Sequence, residues 1–170
     1  MSCAEKVELE PEIEKIITYE FGQSGEDIAV VTDLVWASYG DKEKKAHLEK
    51  QFVEILKRPE ATFACKDYIC RQLWIIGSDI SIPVLGKMLL MDKKTSDIAR
   101  YALQENPSPK ANKILLKAAK KAEGLQLIGI INTLGERRDP SSVKTLDSFL
   151  DSPDKEVTQA AEAALVKIGE

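Results

Sequence analysis

The sequence predicts an all-α protein in which about five antiparallel helix pairs stack into a right-handed α-α superhelix. Three observations carry this. First, apolar residues recur at helical spacing, most cleanly at Val157, Ala160, Ala161, Ala164, Leu165 and Ile168, the i, i+3, i+4, i+7, i+8 stripe of an amphipathic helix. Second, the breaks fall at Gly, Asp139-Pro140 and Ser152-Pro153-Asp154, residue types that start and stop helices. Third, the pattern recurs. Segments end at Gly77, Asn106, Gly135 and Gly169, spaced by 29, 29 and 34 positions, and a fixed period of that size marks a helical repeat. Asparagine at 106 is expected to replace glycine in a left-handed helix terminus. One such hairpin cannot bury its apolar surface alone and needs a neighbour like itself.

Taken in order, residues 1–10 are acidic and expected to fray. Pro11 to Phe21 reads as a helix ended at Gly22. Ser24-Gly25-Glu26-Asp27 caps the next, which carries Ile28, Val31, Leu34 and Val35 and stops near Gly40. Asp41 opens a charged helix to Arg58 with Leu48, Phe52, Ile55 and Leu56 inward. Pro59 to Gly77 follows, with Phe63, Ile69, Leu73 and Ile76 as its core face. Further helices are expected over 80–91, 95–105, 109–122, 123–135, 141–151 and 154–168. The 123–135 segment, with Leu127, Ile128, Ile130, Ile131 and Leu134, is apolar nearly all round. The 141–151 segment carries Val143, Leu146, Phe149 and Leu150.

From about Phe63 to Gly169 the chain resembles the short HEAT repeat named after phycobilisome lyases, within the armadillo-like folds. The residues that carry the likeness are Gly135, Asp139-Pro140-Ser141-Ser142-Val143 and Ala160-Ala161-Glu162-Ala163-Ala164-Leu165-Val166-Lys167-Ile168-Gly169. The chain departs from that pattern where Arg137 and Arg138 lengthen a turn, and where Thr158 stands at a position often held by Arg. Cys70-Arg71-Gln72-Leu73 and Ala99-Arg100-Tyr101-Ala102-Leu103 are similar to segments of large bacterial HEAT-repeat proteins of unknown role. The resemblance implies an interaction scaffold. HEAT-type families also include bilin lyases, an iron-dependent hydroxylase and alkylpurine glycosylases. The hydroxylase needs His-Glu pairs, whereas His47 is followed by Leu48. The glycosylase needs a basic groove, and no lyase motif can be placed on particular residues.

The totals bound the rest. With 170 residues and 44% hydrophobic content the chain can bury one core; 6% aromatic content and nine glycines suit helices. A net charge of −4 disfavours general nucleic-acid binding, which needs clustered cations. Residues 1–30 hold eight acids against Lys6 and Lys15, so the acidic excess sits at the N-terminus. No run approaches the ~20 apolar residues of a membrane span, and Met1-Ser2-Cys3-Ala4-Glu5 lacks a signal-peptide pattern. Three cysteines fit a reducing compartment rather than a disulfide framework. A cytoplasmic monomer is expected, unless the chain is a fragment of an exported protein. Val166 and Ala163 flank the last stripe, where a further repeat could stack.

No catalytic, metal or cofactor motif stands out, so neither enzyme activity nor a cofactor is expected. Arg71 and Arg100 each lie six residues before a repeat end, which stacks them on adjacent second helices. With Lys66, Tyr101, Arg137 and Arg138 they form the candidate concave binding surface, able to hold a carboxylate or phosphate. The competing reading pairs each arginine with an acid of a neighbouring repeat, such as Asp67 or Asp97. Lys110, Lys113, Lys117, Lys120 and Lys121 make one helix stripe, either an anion-binding patch or a solvated face. Cys65 and Cys70 lie about 140° apart around a helix, poor geometry for a disulfide or a shared metal. His47 has no ligand set beside it, and Trp36 and Trp74 read as packing residues. The expected function is a non-catalytic scaffold binding another protein or other domains of a longer chain. Anion binding through the Arg/Lys patch is the alternative, and a lyase-like enzyme the third.

Overall fold

The structure is a computed structural model describing residues 8–169; most of the frayed acidic start predicted at residues 1–10 lies outside them. The described residues are all-helical, with no strand: α1 (Pro11–Glu14), α2 (Glu26–Ala37), α3 (Lys42–Lys57), α4 (Phe63–Ile76), α5 (Ile82–Met88), α6 (Lys93–Gln104), α7 (Pro109–Ala119), α8 (Gly124–Arg137), α9 (Val143–Asp147) and α10 (Lys155–Gly169). Short 3-10 turns follow α1 and precede α9.

The starts are set by side-chain caps. Asp41, Thr62, Asp92 and Ser108 accept hydrogen bonds from first-turn N–H groups of α3, α4, α6 and α7, satisfying donors that have no partner within the helix. Proline occupies the first turn of α1, α5 and α7, where a missing N–H costs nothing.

Neighbouring helices pack together, and α2 to α6 and α8 each pack on the next but one. Thus α2, α4, α6, α8 and α10 form one row, while α3, α5 and α7 form another. Helix α8 is enclosed by α6, α7 and α10, which explains why it is apolar nearly all round. Leu127, Ile130, Ile131 and Leu134 are all buried, each such side chain contributing about 1.5–3 kcal/mol. One continuous core runs from Ile13 to Ala164.

Polar straps join residues one period apart. Arg100 reaches Gly129, 29 positions on; Ser78 reaches Glu49, 29 back; Asn112 reaches Ser141, 29 on; Arg137 reaches Ser108, 29 back. The buried Glu49 carboxylate accepts from Ser78 N (2.7 Å), Ser78 Oγ (2.6 Å) and Ser81 N (2.9 Å), fixing the turn into α5. The Tyr68 hydroxyl on α4 donates to Ile28 O (3.0 Å) and meets Thr32 Oγ1 (2.9 Å), fastening α4 to α2.

The predicted helices are found, but their ends differ. The α-helix at Pro11 stops at Glu14 and tightens into a 3-10 turn to Thr18. Thr62 takes its later acceptors: its N–H donates to Ile17 O (3.0 Å) and its hydroxyl to Tyr19 O. The 141–151 segment is α-helical only over Val143–Asp147, and of its stripe only Leu146 is fully buried.

The repeat ends are not left-handed caps. Gly77 is extended (φ −60°, ψ 142°), Gly135 lies inside α8, and Gly169 is the last residue of α10. Positive φ occurs instead at Gly22, Gly40, Gly124 and Arg138. The glycines at 77 and 135 are spacing devices. A Cβ on Gly77 would sit 2.3 Å from Leu73 O and 3.2 Å from Asn106 Nδ2; one on Gly135 would sit 2.8 Å from Ala164 Cα. Asn106 is therefore the partner of Gly77's turn and not its equivalent: its Nδ2 donates to Ser78 O (3.0 Å) and its Oδ1 accepts from Ser108 N (3.0 Å).

Candidate functional site

Helix α4 turns Asp67, Arg71 and Trp74 outward at i, i+4, i+7, and α6 sets Asp97 and Tyr101 beside them. Arg71 Nε donates to Asp67 Oδ2 (2.9 Å), and this hydrogen bond lifts the guanidinium further above its ordinary pKa. The Arg71 guanidinium also lies 5.5 Å from the Tyr101 ring centre, within cation–π range. Trp74 stacks on Tyr101, centres 6.0 Å apart and planes at 23°. Asp67, Arg71, Asp97, Ile98 and Tyr101 line a cleft of about 200 Å³ between the two helices.

Arg100 turns away from this cleft. Its Nη2 pairs with Asp97 Oδ1 (2.5 Å), and its Nη1 donates to Gly129 O (3.1 Å) and Thr133 Oγ1 (3.3 Å). A Cβ on Gly129 would meet Arg100 Cζ at 2.6 Å, so glycine there is what lets the guanidinium lie across α8. Both arginines thus pair with an acid of their own helix, not of a neighbouring repeat, and reach the next helix by other contacts: Arg71 through a ring, Arg100 through a carbonyl and a hydroxyl.

Arg137 is built into the frame. Its Nη1 donates to Leu103 O (2.5 Å), which also accepts from Asn106 N (3.3 Å), and to Gln104 O (2.8 Å) and Asn106 O (2.9 Å), which the turn after α6 leaves free. Burial lowers its pKa. Arg138 forms the left-handed end of α8 (φ 50°). Lys66 is half-buried and does not line the Arg71–Tyr101 cleft. The six predicted surface residues therefore do not make one site: Arg71 and Tyr101 share a patch, while Arg100 and Arg137 act as straps.

The lysine stripe on α7 is exposed throughout. Lys110 pairs with Asp79 (2.6 Å), and Lys117 and Lys121 join Lys87 around a groove of about 210 Å³ between α5 and α7. Cys65 and Cys70 are free and buried; burial pushes the Cys65 thiol up to about 12 and the Cys70 thiol upward as well. Trp36 departs from the packing expectation: it is 58% exposed and stacks on Tyr39 at 6.2 Å. Phe63, predicted in the core, is 38% exposed and meets Phe21 edge-on at 6.3 Å.

A further cleft, of about 480 Å³, opens between α2 and α3 and is lined by Glu10, Leu34, Ala37, His47 and Leu48 among others. His47 Nε2 lies 2.9 Å from Glu10 Oε1, a pairing across 37 positions that local spacing does not signal. Among the described residues no group of three His, Cys, Asp or Glu could hold a metal ion, and no helix is long and apolar enough to cross a membrane. No known protein-family model matches the chain, and none of the curated proteins compared with it matches either.

Proposed function

We propose that the chain is a short HEAT-type right-handed superhelix and a non-catalytic scaffold, whose α4–α6 face binds another protein or another domain of a longer chain. The observation that carries this reading is the Trp74–Tyr101–Arg71 stack. Tryptophan, tyrosine and arginine dominate the energetics of protein interfaces because each offers a large, stiff contact area and a polar handle. Here all three are more than a third exposed and already held in place by one another, so little side-chain entropy is lost on docking. A free phosphate or carboxylate is a poorer occupant of that face, because Asp67 and Asp97 neutralise its arginines. Two further features favour a scaffold over an enzyme: both buried thiols are held as neutral SH, and the histidine is already engaged by Glu10.

The test is site-specific photo-crosslinking in the source cells, with a photoreactive residue at Trp74 and, as control, at Lys50 on α3. The reading expects adducts with a defined protein at 74 that disappear with Tyr101→Ala while the helical circular dichroism is unchanged. Equal adducts at both positions, or adducts at 74 indifferent to Tyr101→Ala, refute it.

A further inference from the structure

On the other row, the ends of α5 and α7 carry the groove rimmed by Lys87, Lys117 and Lys121. Its walls are apolar, built from Pro83, Leu90, Ile114 and Ala118 among others. Gly86 makes the groove narrow, since Ile114 Cγ1 would stand 2.4 Å from a Cβ there. None of the three lysines forms an ion pair among the described residues, in contrast to Lys110 on the same stripe.

The same edge presents three large apolar tips. Leu90 is 42% exposed, Met91 57% and Leu125 61%. They belong to one rigid edge, because Gln126 at the start of α8 donates from Nε2 to Leu89 O (2.8 Å) and Met91 O (2.9 Å), clamping the α5–α6 turn beside Leu125. The acids there are Glu123, which is exposed, and Asp92, whose carboxylate is held by Thr95 N (3.1 Å) and Thr95 Oγ1 (2.6 Å). In a chain of net charge −4, this edge is cationic and apolar at once.

We propose that this edge docks on an anionic membrane surface, with Met91, Leu90 and Leu125 entering the headgroup region and Lys87, Lys117 and Lys121 facing acidic headgroups. Charge complementarity and protruding apolar tips are what interfacial attachment requires. A folded acidic protein segment would use the lysines and the groove wall at Leu90 but gives no reason for Met91 and Leu125 to stand exposed outside the groove beside a clamped turn. The attachment is peripheral, leaves the α4–α6 face free, and does not depend on the scaffold reading.

The experiment is sedimentation of the full chain with vesicles of phosphatidylcholine alone or mixed with phosphatidylserine. The expected result is at least about tenfold stronger partitioning onto the anionic vesicles, weakening steeply with salt. Lys117→Glu with Lys121→Glu should abolish it. Met91→Ser with Leu125→Ser should lower it several-fold at unchanged charge, while Lys42→Glu with Lys50→Glu on α3 should leave it intact. Equal partitioning onto both vesicle types, or indifference to Lys117→Glu/Lys121→Glu, overturns the proposal. So does a poly-glutamate peptide that binds the groove while anionic vesicles do not, an outcome that assigns the edge to an acidic protein instead.

Discussion

Glu49→Ala is the substitution whose cost can be worked most directly from the structure. The carboxylate is 1% exposed and accepts three hydrogen bonds, from Ser78 N, Ser78 Oγ and Ser81 N. Ser78 is half-buried, so water can resolvate its two donors; Ser81 is fully buried and its N–H is left without a partner. An unsatisfied buried donor costs about 1–3 kcal/mol, and the emptied side-chain volume adds about 1–2 kcal/mol. The expected loss is therefore about 3 kcal/mol, or roughly 10 °C in melting temperature for a chain of this size. Glu49→Gln keeps a carbonyl acceptor for the two N–H groups and should cost only about 1 kcal/mol. Urea unfolding followed by circular dichroism reads both, from the midpoint at unchanged slope. If alanine costs less than about 1 kcal/mol, or glutamine costs as much as alanine, the carboxylate does not fasten the turn into α5.

Gly135→Val should destabilise by about 2–3 kcal/mol, since a side chain there meets the α10 backbone at Ala164 Cα (2.8 Å); a valine variant as stable as the parent in urea would show that α8 and α10 are free to move apart. Arg137→Met should cost about 2 kcal/mol by leaving the carbonyls of Gln104 and Asn106 without their donor, Leu103 O keeping Asn106 N, and Arg137→Lys should recover part of it; a methionine variant with an unchanged midpoint contradicts the strap. In a Cys3→Ser background, Cys65 and Cys70 should resist an aromatic disulfide reagent at pH 8 until the chain is unfolded, when both react; rapid labelling of the native protein tells against their burial. The Cys65 pKa is raised from 9.0 to about 12 on folding, so the folded state binds more protons between those values and stability falls as pH rises through that window. Cys65→Ala should flatten that fall, and an unchanged slope speaks against the shift.

Helix positions were legible because each helix declares itself locally. Val157, Ala160, Ala161 and Ala164 are the buried face of α10, and the Asp41 and Ser108 starts follow from cap chemistry alone. The period was legible too, but its physical meaning was misread. Residues 77, 106 and 135 recur at 29 positions because neighbouring turns and helices touch there, not because each helix needs a left-handed end. The candidate site was half legible: Arg71 and Tyr101 meet as stacking implies. Arg100 and Arg137 could equally have faced solvent, and only the position of the next helix turns them onto carbonyls. Glu49 looked like one more charge on a charged helix, and Trp36 like one more core aromatic.

Sequence by itself determined the all-helical class, the order of helices and most of the core faces, since hydrophobic period and capping act over a few residues. Only the tertiary structure decided which charges are tied into the frame and which stay exposed. That choice depends on contacts about one repeat away, such as Glu49 with Ser78 and Arg100 with Gly129, where the energy of a polar group is set by what the neighbouring repeat places against it.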